Sequence, residues 1–354
     1  MKLKHWIKII IFAGLSIVLI VLASSFLCVA NEKDTVGVYG FFKEPKDSID
    51  VVLIGPSTMY TSFYSPLAYE KYGFTSYSLA TSSMTSAAYK SAVQIAEKEQ
   101  HPDLYVVEIW GFCYEDQLEE VSLRKWIDAL PSSDIRNQTI EELVPEEEQS
   151  SFKYPLIKYH SRWDDLGGCF KVFLDKKNID KKGFSVTKSF ATTPIIYPYA
   201  PQESPYRIKE SGFTYLDIFL NYCKEAGIEN ILFVRSPELI QYTPVDSYYE
   251  MIDKIHAAGY DFLNMEAVED EMGLDVNHDY YNSTHLNIFG AEKYTDYLSK
   301  YVMDNYNLNT NYAPEVKKEW DYCASFNDHV IEKLKTLTEN NSGGYLYTQK
   351  DLIN

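Results

Sequence analysis

The sequence has little cysteine and no excess of basic charge. Its 354 residues include five cysteines, which are too few and too scattered for a scaffold built on disulfides. The 51 acidic residues outnumber the 33 basic ones and give a formal net charge of −18. Nucleic-acid binding needs a basic surface that replaces counterions, so we expect no nucleic-acid partner. An apolar content of 45% and an aromatic content of 15% exclude a mostly disordered chain.

Motifs for common cofactors and metals are also missing. The sequence has no G-x-G-x-x-G, P-loop, H-E-x-x-H or EF-hand pattern. We therefore expect no cofactor and no metal. The one alternative is a metal site made by four side chains close in sequence: Asp275, His278, Asp279 and His285.

The first 30 residues carry no acidic side chain. Lys2, Lys4 and Lys8 precede an uncharged run of 22 residues at 9–30, and a helix needs roughly 20 to cross a bilayer. A cleavable signal has a shorter apolar stretch, so we expect a retained signal anchor that contacts the lipid bilayer through residues 9–30. Cleavage after Ala30 is the alternative. Basic residues stay inside, which predicts a single-pass protein of the cell membrane with a cytoplasmic N-terminus.

The exported part is strongly acidic. It carries 30 basic and 51 acidic residues, so anionic lipid should repel it and it should not lie flat on the membrane. Its four cysteines would meet an oxidising compartment, contain no C-x-x-C spacing and allow three disulfide pairings. These cysteines are Cys113, Cys169, Cys223 and Cys323.

Strand and helix patterns alternate along the exported part. The β-branched run 49–54 ends at Gly55-Pro56, which is typical of a buried strand. Further strands are predicted at 74–79, 104–110, 231–234 and 261–264. Helices are predicted at 62–72, 87–99, 213–226, 249–258 and 288–303. This alternation predicts a three-layer α/β/α fold around a five-stranded parallel sheet.

Four regions follow from this pattern. Residues 1–30 form the basic start and the anchor, and 31–48 form a tether. Residues 49–313 form the α/β domain, interrupted at about 111–211 by a segment that is too long for a structureless loop and predicts a cap. Residues 314–354 form a C-terminal helix and a polar tail.

Two residues stand where a parallel sheet binds its ligands, outside the carboxyl ends of the strands. Ser57 follows the first strand at a turn into a helix, and His285 lies just before the helix at 288–303, the last of the alternating pattern. A serine becomes a nucleophile when a base takes its proton, and histidine is the usual base at neutral pH. The alternatives are a helix N-cap for Ser57 and a surface or capping role for His285.

The order of these two segments resembles a known superfamily. Ile54-Gly-Pro-Ser57 near the start, and His285-Leu-Asn-Ile-Phe-Gly-Ala near the end, are similar to the SGNH (GDSL-type) hydrolases. The membrane-anchored layout resembles their DltD-like cell-surface branch. The resemblance covers about 49–110 and 213–303, and it implies that Ser57 is the nucleophile and His285 the base.

The third member of the implied triad departs from the family pattern. Asn282 stands where the family has an aspartate, three residues before His285. An amide orients the imidazole but does not stabilise its charged form, and the Asp-to-Asn change in a serine protease costs about 10⁴ in rate. Asp279 is an alternative acid. A second alternative is the pair Asp275 and His278, which has the literal D-x-x-H spacing. The Leu-Asn-x-x-Gly-Ala sequence that leads into a helix after His285 does not follow His278.

The resemblance also implies donors for the oxyanion, and the residue types of the interrupting segment suggest further contacts for the substrate. The candidates are Thr58, Ser82, Ser83, Glu108, Arg162 and Trp163. Glu108 ends a strand where the family has an asparagine block, and it is expected either to face the pocket or to pair with an arginine or a backbone amide. Arg162 and Trp163 would bring a cation and an aromatic wall to a sugar or phosphate, or else pack within a surface loop.

The implied function is that of a serine esterase or O-acyltransferase. Its substrates would be acyl esters of cell-envelope glycopolymers, handled through an acyl-enzyme on Ser57. The partners implied are a cell-envelope glycan or acylated polymer and a membrane-bound acyl donor protein. The alternative is a non-catalytic binding or assembly protein of the cell envelope that keeps the SGNH fold.

Overall fold

The computed structural model describes residues 2–200 and 202–343, and strands and helices alternate through most of this range. Its strands are β1 (Val51–Ile54), β2 (Ser76–Ser78), β3 (Leu104–Glu108), β4 (Gln202–Tyr206), β5 (Ile231–Arg235), β6 (Ile240–Pro244), β7 (Asp261–Asn264), β8 (Tyr280–Asn282) and β9 (His285–Leu286).

The helices surround these strands and extend beyond them at both ends. The first ten are α1 (Lys2–Leu27), α2 (Glu32–Phe41), α3 (Ser57–Ser62), α4 (Ser65–Tyr72), α5 (Tyr89–Glu99), α6 (Glu120–Ile127), α7 (Asp134–Leu143), α8 (Gln149–Lys153), α9 (Leu156–Tyr159) and α10 (Leu166–Lys182). They are followed by α11 (Glu210–Ala226), α12 (Asp246–Ala257), α13 (Glu269–Met272), α14 (Ile288–Asn305), α15 (Pro314–Ser325) and α16 (Asn327–Glu339).

Five of the strands form one parallel sheet in the order β2-β1-β3-β5-β7. The α/β class and the five-stranded parallel sheet predicted from the sequence are therefore confirmed. The order is the flavodoxin-like one, in which the chain reverses its winding between the first and third strands. Ligands of such sheets bind at this switch point, which here lies at the carboxyl ends of β1 and β3.

Both faces of the sheet are buried. Val52 and Ile54 of β1 pack with α5, α11 and α12 on one face. Val51 and Leu53 pack with α3, α10 and α14 on the other face. Because side chains alternate along a strand, burial on both faces requires an uninterrupted apolar run, and that is the pattern that predicted β1.

Two predicted boundaries differ from the structure for local reasons. The helix predicted at 62–72 is two helices, because the backbone of Phe63 and Tyr64 is extended between α3 and α4. The strand predicted to run to Trp110 ends at Glu108. The Glu108 carboxylate accepts a hydrogen bond from the Trp110 backbone N–H and starts a 3₁₀ turn over Ile109–Cys113.

Residues 31–48, predicted as a tether, instead contain the packed helix α2. The Asn31 side chain caps it by accepting a hydrogen bond from the Asp34 backbone N–H. Val38 and Phe41 are fully buried in the core. The difference arises because the polar side chains of this segment find partners in distant parts of the chain, so its mixed composition is compatible with burial.

The segment 111–211 folds as helices α6 to α10, an extended stretch and β4. Helix α10 packs on α2 and on the end of α1. Farther on, the Ala191 backbone N–H donates to the Tyr60 carbonyl, and the Thr192 hydroxyl donates to the Leu286 carbonyl. This part of the segment therefore holds α3 and β9 together. A cap over a ligand site stays a prediction.

Most of helix α1 is exposed, and its C-terminal end packs on α10. The most apolar 18 residues within Leu3–Leu27 have a mean hydropathy of 2.7, and none of them is buried. This segment is long and apolar enough to span a membrane. In the part of the chain that the structure describes, no other helix meets this criterion. The C-terminal helix prediction is met by α15 and α16, which break at Phe326. The predicted polar tail lies from residue 344 onward outside the described residues.

Candidate active site

Ser57 is positioned by the tight turn that follows β1. A Cβ on Gly55 would lie 2.6 Å from the Glu108 Cβ atom, so only glycine lets β1 and β3 end this close together. Ser57 is the first residue of α3. The first N–H groups of a helix have no partner inside the helix, so the Ser57 N–H is free of the helical hydrogen-bond ladder.

His285 is positioned by a hairpin and a helix cap. It pairs with Asn282 across the antiparallel strands β8 and β9. The Asn287 side chain accepts hydrogen bonds from Phe289 N–H and Gly290 N–H at the start of α14, and its amide also donates to the carbonyl of His278 at 2.6 Å. The His-Leu-Asn sequence thus fixes both the hairpin and the helix that follows it.

The two segments bring Ser57 and His285 into direct contact. The distance between Ser57 Oγ and His285 Nε2 is 2.7 Å. This is the length of a strong hydrogen bond and the distance at which a base can take the serine proton. The residues are 228 positions apart in the chain, so their meeting is a product of the fold.

Asn282 and Thr284 orient the imidazole of His285. His285 Nδ1 lies 3.0 Å from Asn282 Oδ1 and 2.8 Å from Thr284 Oγ1. The Thr284 backbone N–H donates to Asn282 Oδ1 at 2.9 Å, which turns the amide oxygen toward the ring. Nδ1 therefore carries the proton, and Nε2 is left with the lone pair that faces Ser57.

The electrostatics around His285 favour its neutral form. Burial lowers the pKa of His285 to about 4. The ring of Tyr281 stacks on the imidazole, with centroids 5.2 Å apart and an angle of 18° between the planes. His285 is thus available as a base at neutral pH, but no carboxylate among the described residues is hydrogen-bonded to its ring to stabilise the imidazolium that forms during the reaction.

The pair opens onto a pocket of about 380 Å³. The residues that line it come from the start of α2, from α3, from the loop after β2 and from the β8–β9 hairpin. They are Asn31, Glu32, Lys33, Ser57, Tyr60, Ser82, Tyr281 and His285. The pocket therefore lies at the carboxyl edge of the sheet, where its strand order predicts ligand binding.

Lys33 places a cation in this pocket. Its ammonium donates to Ser189 Oγ at 2.9 Å and lies 4.0 Å from the centre of the Tyr60 ring. Burial lowers the pKa of Lys33 to about 8, against an opposing contribution from Asp34. The side chain is thus mostly charged at neutral pH and loses its proton in mildly alkaline solution.

The loop after β2 is tied to α2 by Asp34. The Ser82 N–H donates to one carboxylate oxygen at 2.9 Å, and the Ser82 hydroxyl donates to the other at 2.7 Å. The Ser82 N–H therefore faces Asp34 rather than a bound substrate. Ser83 follows with a left-handed backbone, φ 56°. Thr58 is buried behind Ser57, and its hydroxyl has no hydrogen-bond partner among the described residues.

The other candidates for substrate contact lie outside the pocket lining. Glu108 is buried beneath the turn after β1 and accepts hydrogen bonds from the Ser236 N–H and hydroxyl. Burial raises the pKa of Glu108 to about 7. Arg162 donates to the Val29 carbonyl and pairs with Asp165, and Trp163 is 71% exposed.

The alternative acids also have other partners. Asp279 is fully buried, where its carboxylate accepts from Lys293 at 2.6 Å and lies 3.0 Å from His278 Nδ1. Asp275 accepts a hydrogen bond from the Asn277 backbone N–H. Asn282 is therefore the side chain that meets the ring of His285 at the position of a third triad member.

Sequence reasoning missed the contributions of Lys33, Asp34, Tyr60 and Tyr281. The signal for α2 was present, because Asn31 followed by Glu32 and Asp34 is a typical helix start. Nothing in the local sequence indicates that this helix packs over the turn after β1.

Comparison with known proteins adds no relative: no protein-family model matches the chain, and no curated protein matches it.

Among the described residues all five cysteines are free thiols.

Proposed function

We propose that this chain is a membrane-anchored, extracellular serine esterase or O-acyltransferase of the SGNH type, acting on acyl esters of cell-envelope glycopolymers. The observation that carries the proposal is the 2.7 Å contact between Ser57 Oγ and His285 Nε2 inside a pocket. A hydroxyl, an oriented imidazole and space for a substrate beside them are what acyl transfer needs.

The reaction proceeds in two halves. His285 Nε2 takes the Ser57 proton as Oγ attacks the ester carbonyl, and the tetrahedral intermediate collapses as the leaving alkoxide receives that proton from Nε2. The acyl group is then on Ser57. A water molecule or a sugar hydroxyl attacks it after giving its proton to His285, and Ser57 leaves with that proton, which restores the enzyme.

Two hydrogen-bond donors are proposed for the oxyanion that forms on the carbonyl oxygen. The Ser57 N–H belongs to the first turn of α3, outside the hydrogen-bond ladder of that helix. The Lys33 ammonium lines the same pocket. It would take the place of the asparagine donor that the family resemblance implies after β3, where the sequence has no asparagine.

The substrate is proposed to be membrane-associated because of where the pocket lies. Lys33 is six residues beyond the end of α1 at Leu27. Six residues span at most about 22 Å when fully extended. If α1 crosses the bilayer with its lysines in the cytoplasm, the pocket opens within that distance of the outer surface. A polymer or an acyl donor held in the membrane can then reach Ser57.

The pocket walls favour a carbohydrate ester. Tyr60 and Tyr281 line the pocket beside the nucleophile and give it an aromatic wall. Asn31, Glu32 and Ser82 add polar groups that can bind hydroxyls.

Labelling with a fluorophosphonate probe tests the proposal. The full-length protein in detergent should be labelled, and Ser57→Ala and His285→Ala should each abolish the label. His278→Ala is the matched control, because it removes the histidine of the alternative D-x-x-H pair and should leave labelling intact. Unchanged labelling of Ser57→Ala would refute Ser57 as the nucleophile. Loss of labelling in His278→Ala but not in His285→Ala would identify His278 as the base.

A non-catalytic binding protein is the second candidate. Two observations favour it: His285 has an amide rather than a carboxylate as its partner, and the Ser82 N–H is occupied by Asp34. This function predicts no fluorophosphonate labelling of the wild type, together with retained binding of a cell-envelope glycan that Tyr60→Ala weakens.

A further inference from the structure

Helix α10 has apolar residues on two faces. One face, which includes Cys169, Val172 and Ile179, is buried against the domain. The other face carries Leu166, Phe170, Phe173 and Leu174 at the helical spacing i, i+4, i+7, i+8, each between 42% and 53% exposed. A helix on the surface of a soluble domain needs one apolar face, so the second face calls for another partner.

Two more exposed apolar side chains lie shortly before α10 in the chain. Ile157, in α9, is 54% exposed, and Trp163, in the turn between α9 and α10, is 71% exposed. Together with the four residues of α10 they form one set of exposed apolar side chains, here called the apolar strip: Ile157, Trp163, Leu166, Phe170, Phe173 and Leu174.

The apolar strip contacts the C-terminal end of α1. The ring of Phe173 packs edge-on against the ring of Phe26, with centroids 6.3 Å apart. Phe26 is the penultimate residue of α1. On the other side, Arg162 donates a hydrogen bond to the Val29 carbonyl. If α1 spans a bilayer, the interface between lipid and water lies at this level, so the strip faces that interface.

The charge around the strip has the opposite sign to the rest of the protein. Residues 154–182 contain seven basic and four acidic side chains, in a chain whose net charge is −18. The ammonium of Lys177 lies 5.4 Å from the centre of the Phe173 ring. Aromatic residues and lysines together are typical of segments that lie in a membrane interface. The repulsion expected from the acidic composition thus does not extend to this segment.

We propose that the apolar strip inserts into the outer leaflet of the bilayer that α1 crosses. The domain then has two attachments, one through α1 and one through the strip. Two attachments fix its orientation, and with it the height at which the pocket opens. The inference rests on the membrane anchor of the proposed function and not on catalysis by Ser57.

Quenching of tryptophan fluorescence by brominated lipid tests the insertion. The full-length protein is placed in vesicles of phosphatidylcholine and phosphatidylglycerol, with or without bromine near the start of the acyl chains. Wild type and Trp163→Phe are compared, and the difference between them is the emission of Trp163. We expect bromine to lower this difference at least twofold, and an unchanged difference would overturn the proposal.

The same measurement separates this proposal from the anchor itself. Quenching that persists in Trp163→Phe reports Trp6 within α1. Quenching of Trp6 without quenching of Trp163 would support the membrane anchor and refute insertion of the apolar strip. If neither tryptophan is quenched, both the anchor and the insertion are refuted. Replacing Phe170 and Leu174 together by glutamate should abolish the quenching of Trp163. The control Ile218→Glu, at an exposed position of α11, should not change it, and near-ultraviolet circular dichroism confirms the fold of each variant.

Discussion

The amide oxygen of Asn282 lies 3.0 Å from His285 Nδ1, where a carboxylate would stabilise the imidazolium ion. The amide fixes the tautomer of the ring as a carboxylate does, but it carries no charge. The pair therefore separates two functions, orientation and charge stabilisation, that a Ser-His-Asp triad combines in one residue.

Replacing Asn282 by aspartate should raise activity. The new carboxylate would accept the same hydrogen bond from Nδ1–H and would also stabilise the imidazolium. We expect kcat for p-nitrophenyl acetate to increase by up to about 10⁴-fold, the factor lost by the reverse change in a serine-protease triad. Asn264→Asp, at the end of β7, is the control and should leave the rate unchanged. An Asn282→Asp rate equal to that of wild type would show that this position is not the third member.

The rate of hydrolysis should stay high down to an unusually low pH. His285 acts as a base only when neutral, and burial lowers its pKa to about 4. The base is thus neutral at every pH above that value, so kcat/KM should stay level from pH 7 down to about 5 and fall by half near pH 4. An ordinary catalytic histidine would lose half its activity near pH 6.5.

Circular dichroism over the same pH range shows whether the fold persists. In Asn282→Asp the acidic limb should move to higher pH, because the carboxylate favours the charged ring. A wild-type limb near pH 6.5 on an intact fold would contradict the effect of burial.

The sheet was predictable because its signals are local. Each central strand is buried on both faces and therefore reads as a β-branched run, as in β1 and β3. The positions of Ser57 and His285 beside the ends of secondary-structure elements were predictable for a related reason. Each adjoins a boundary between elements that composition alone marks, Gly55-Pro56 before the serine and Asn287 after the histidine.

The role of α2 was not predictable in this way. Lys33 and Asp34 are buried because Ser189 and Ser82, 156 and 48 residues away, supply their hydrogen bonds. A polar segment with distant partners has the same composition as a solvated tether. The break after α3 has a similar origin, since the Tyr64 backbone N–H donates to Thr295 on α14 instead of continuing a helix.

Lys33 should contribute to the rate through its charge. Removing one donor from an oxyanion site typically lowers kcat by 10²–10³-fold, so Lys33→Met should lower kcat about 100-fold with little change in KM. The pKa of about 8 means that the ammonium is present below that pH and lost above it. The wild-type rate should therefore fall above pH 8.

Two variants check that this alkaline limb belongs to Lys33. Lys33→Met should show no limb, and Lys33→Arg should retain activity to higher pH because a guanidinium keeps its proton. Lys254→Met, on α12, should behave like wild type. A Lys33→Met enzyme with unchanged kcat would remove the lysine from the oxyanion site.

Gly290 should be the position at which a single methyl group disturbs both stability and the site. A Cβ on Gly290 would lie 2.5 Å from the Asp279 carbonyl oxygen, a backbone atom that cannot turn away. Overpacking of this kind costs about 1–3 kcal/mol. Asp279 directly precedes β8, so relieving the contact would shift the hairpin that carries His285. Gly290→Ala should thus lower both the free energy of unfolding in urea and the rate of fluorophosphonate labelling.

Gly167 provides the matched control for this substitution. It lies in the first turn of α10, and a Cβ there would meet no atom within 4 Å. Alanine is favoured over glycine in helices by up to about 1 kcal/mol, so Gly167→Ala should leave the protein equally stable or slightly more stable. Its labelling rate should match wild type, because α10 contributes no residue to the pocket lining. Equal stability of the two variants would mean that the turn before β8 can move away from α14, and that the close approach of Gly290 does not hold His285 in place.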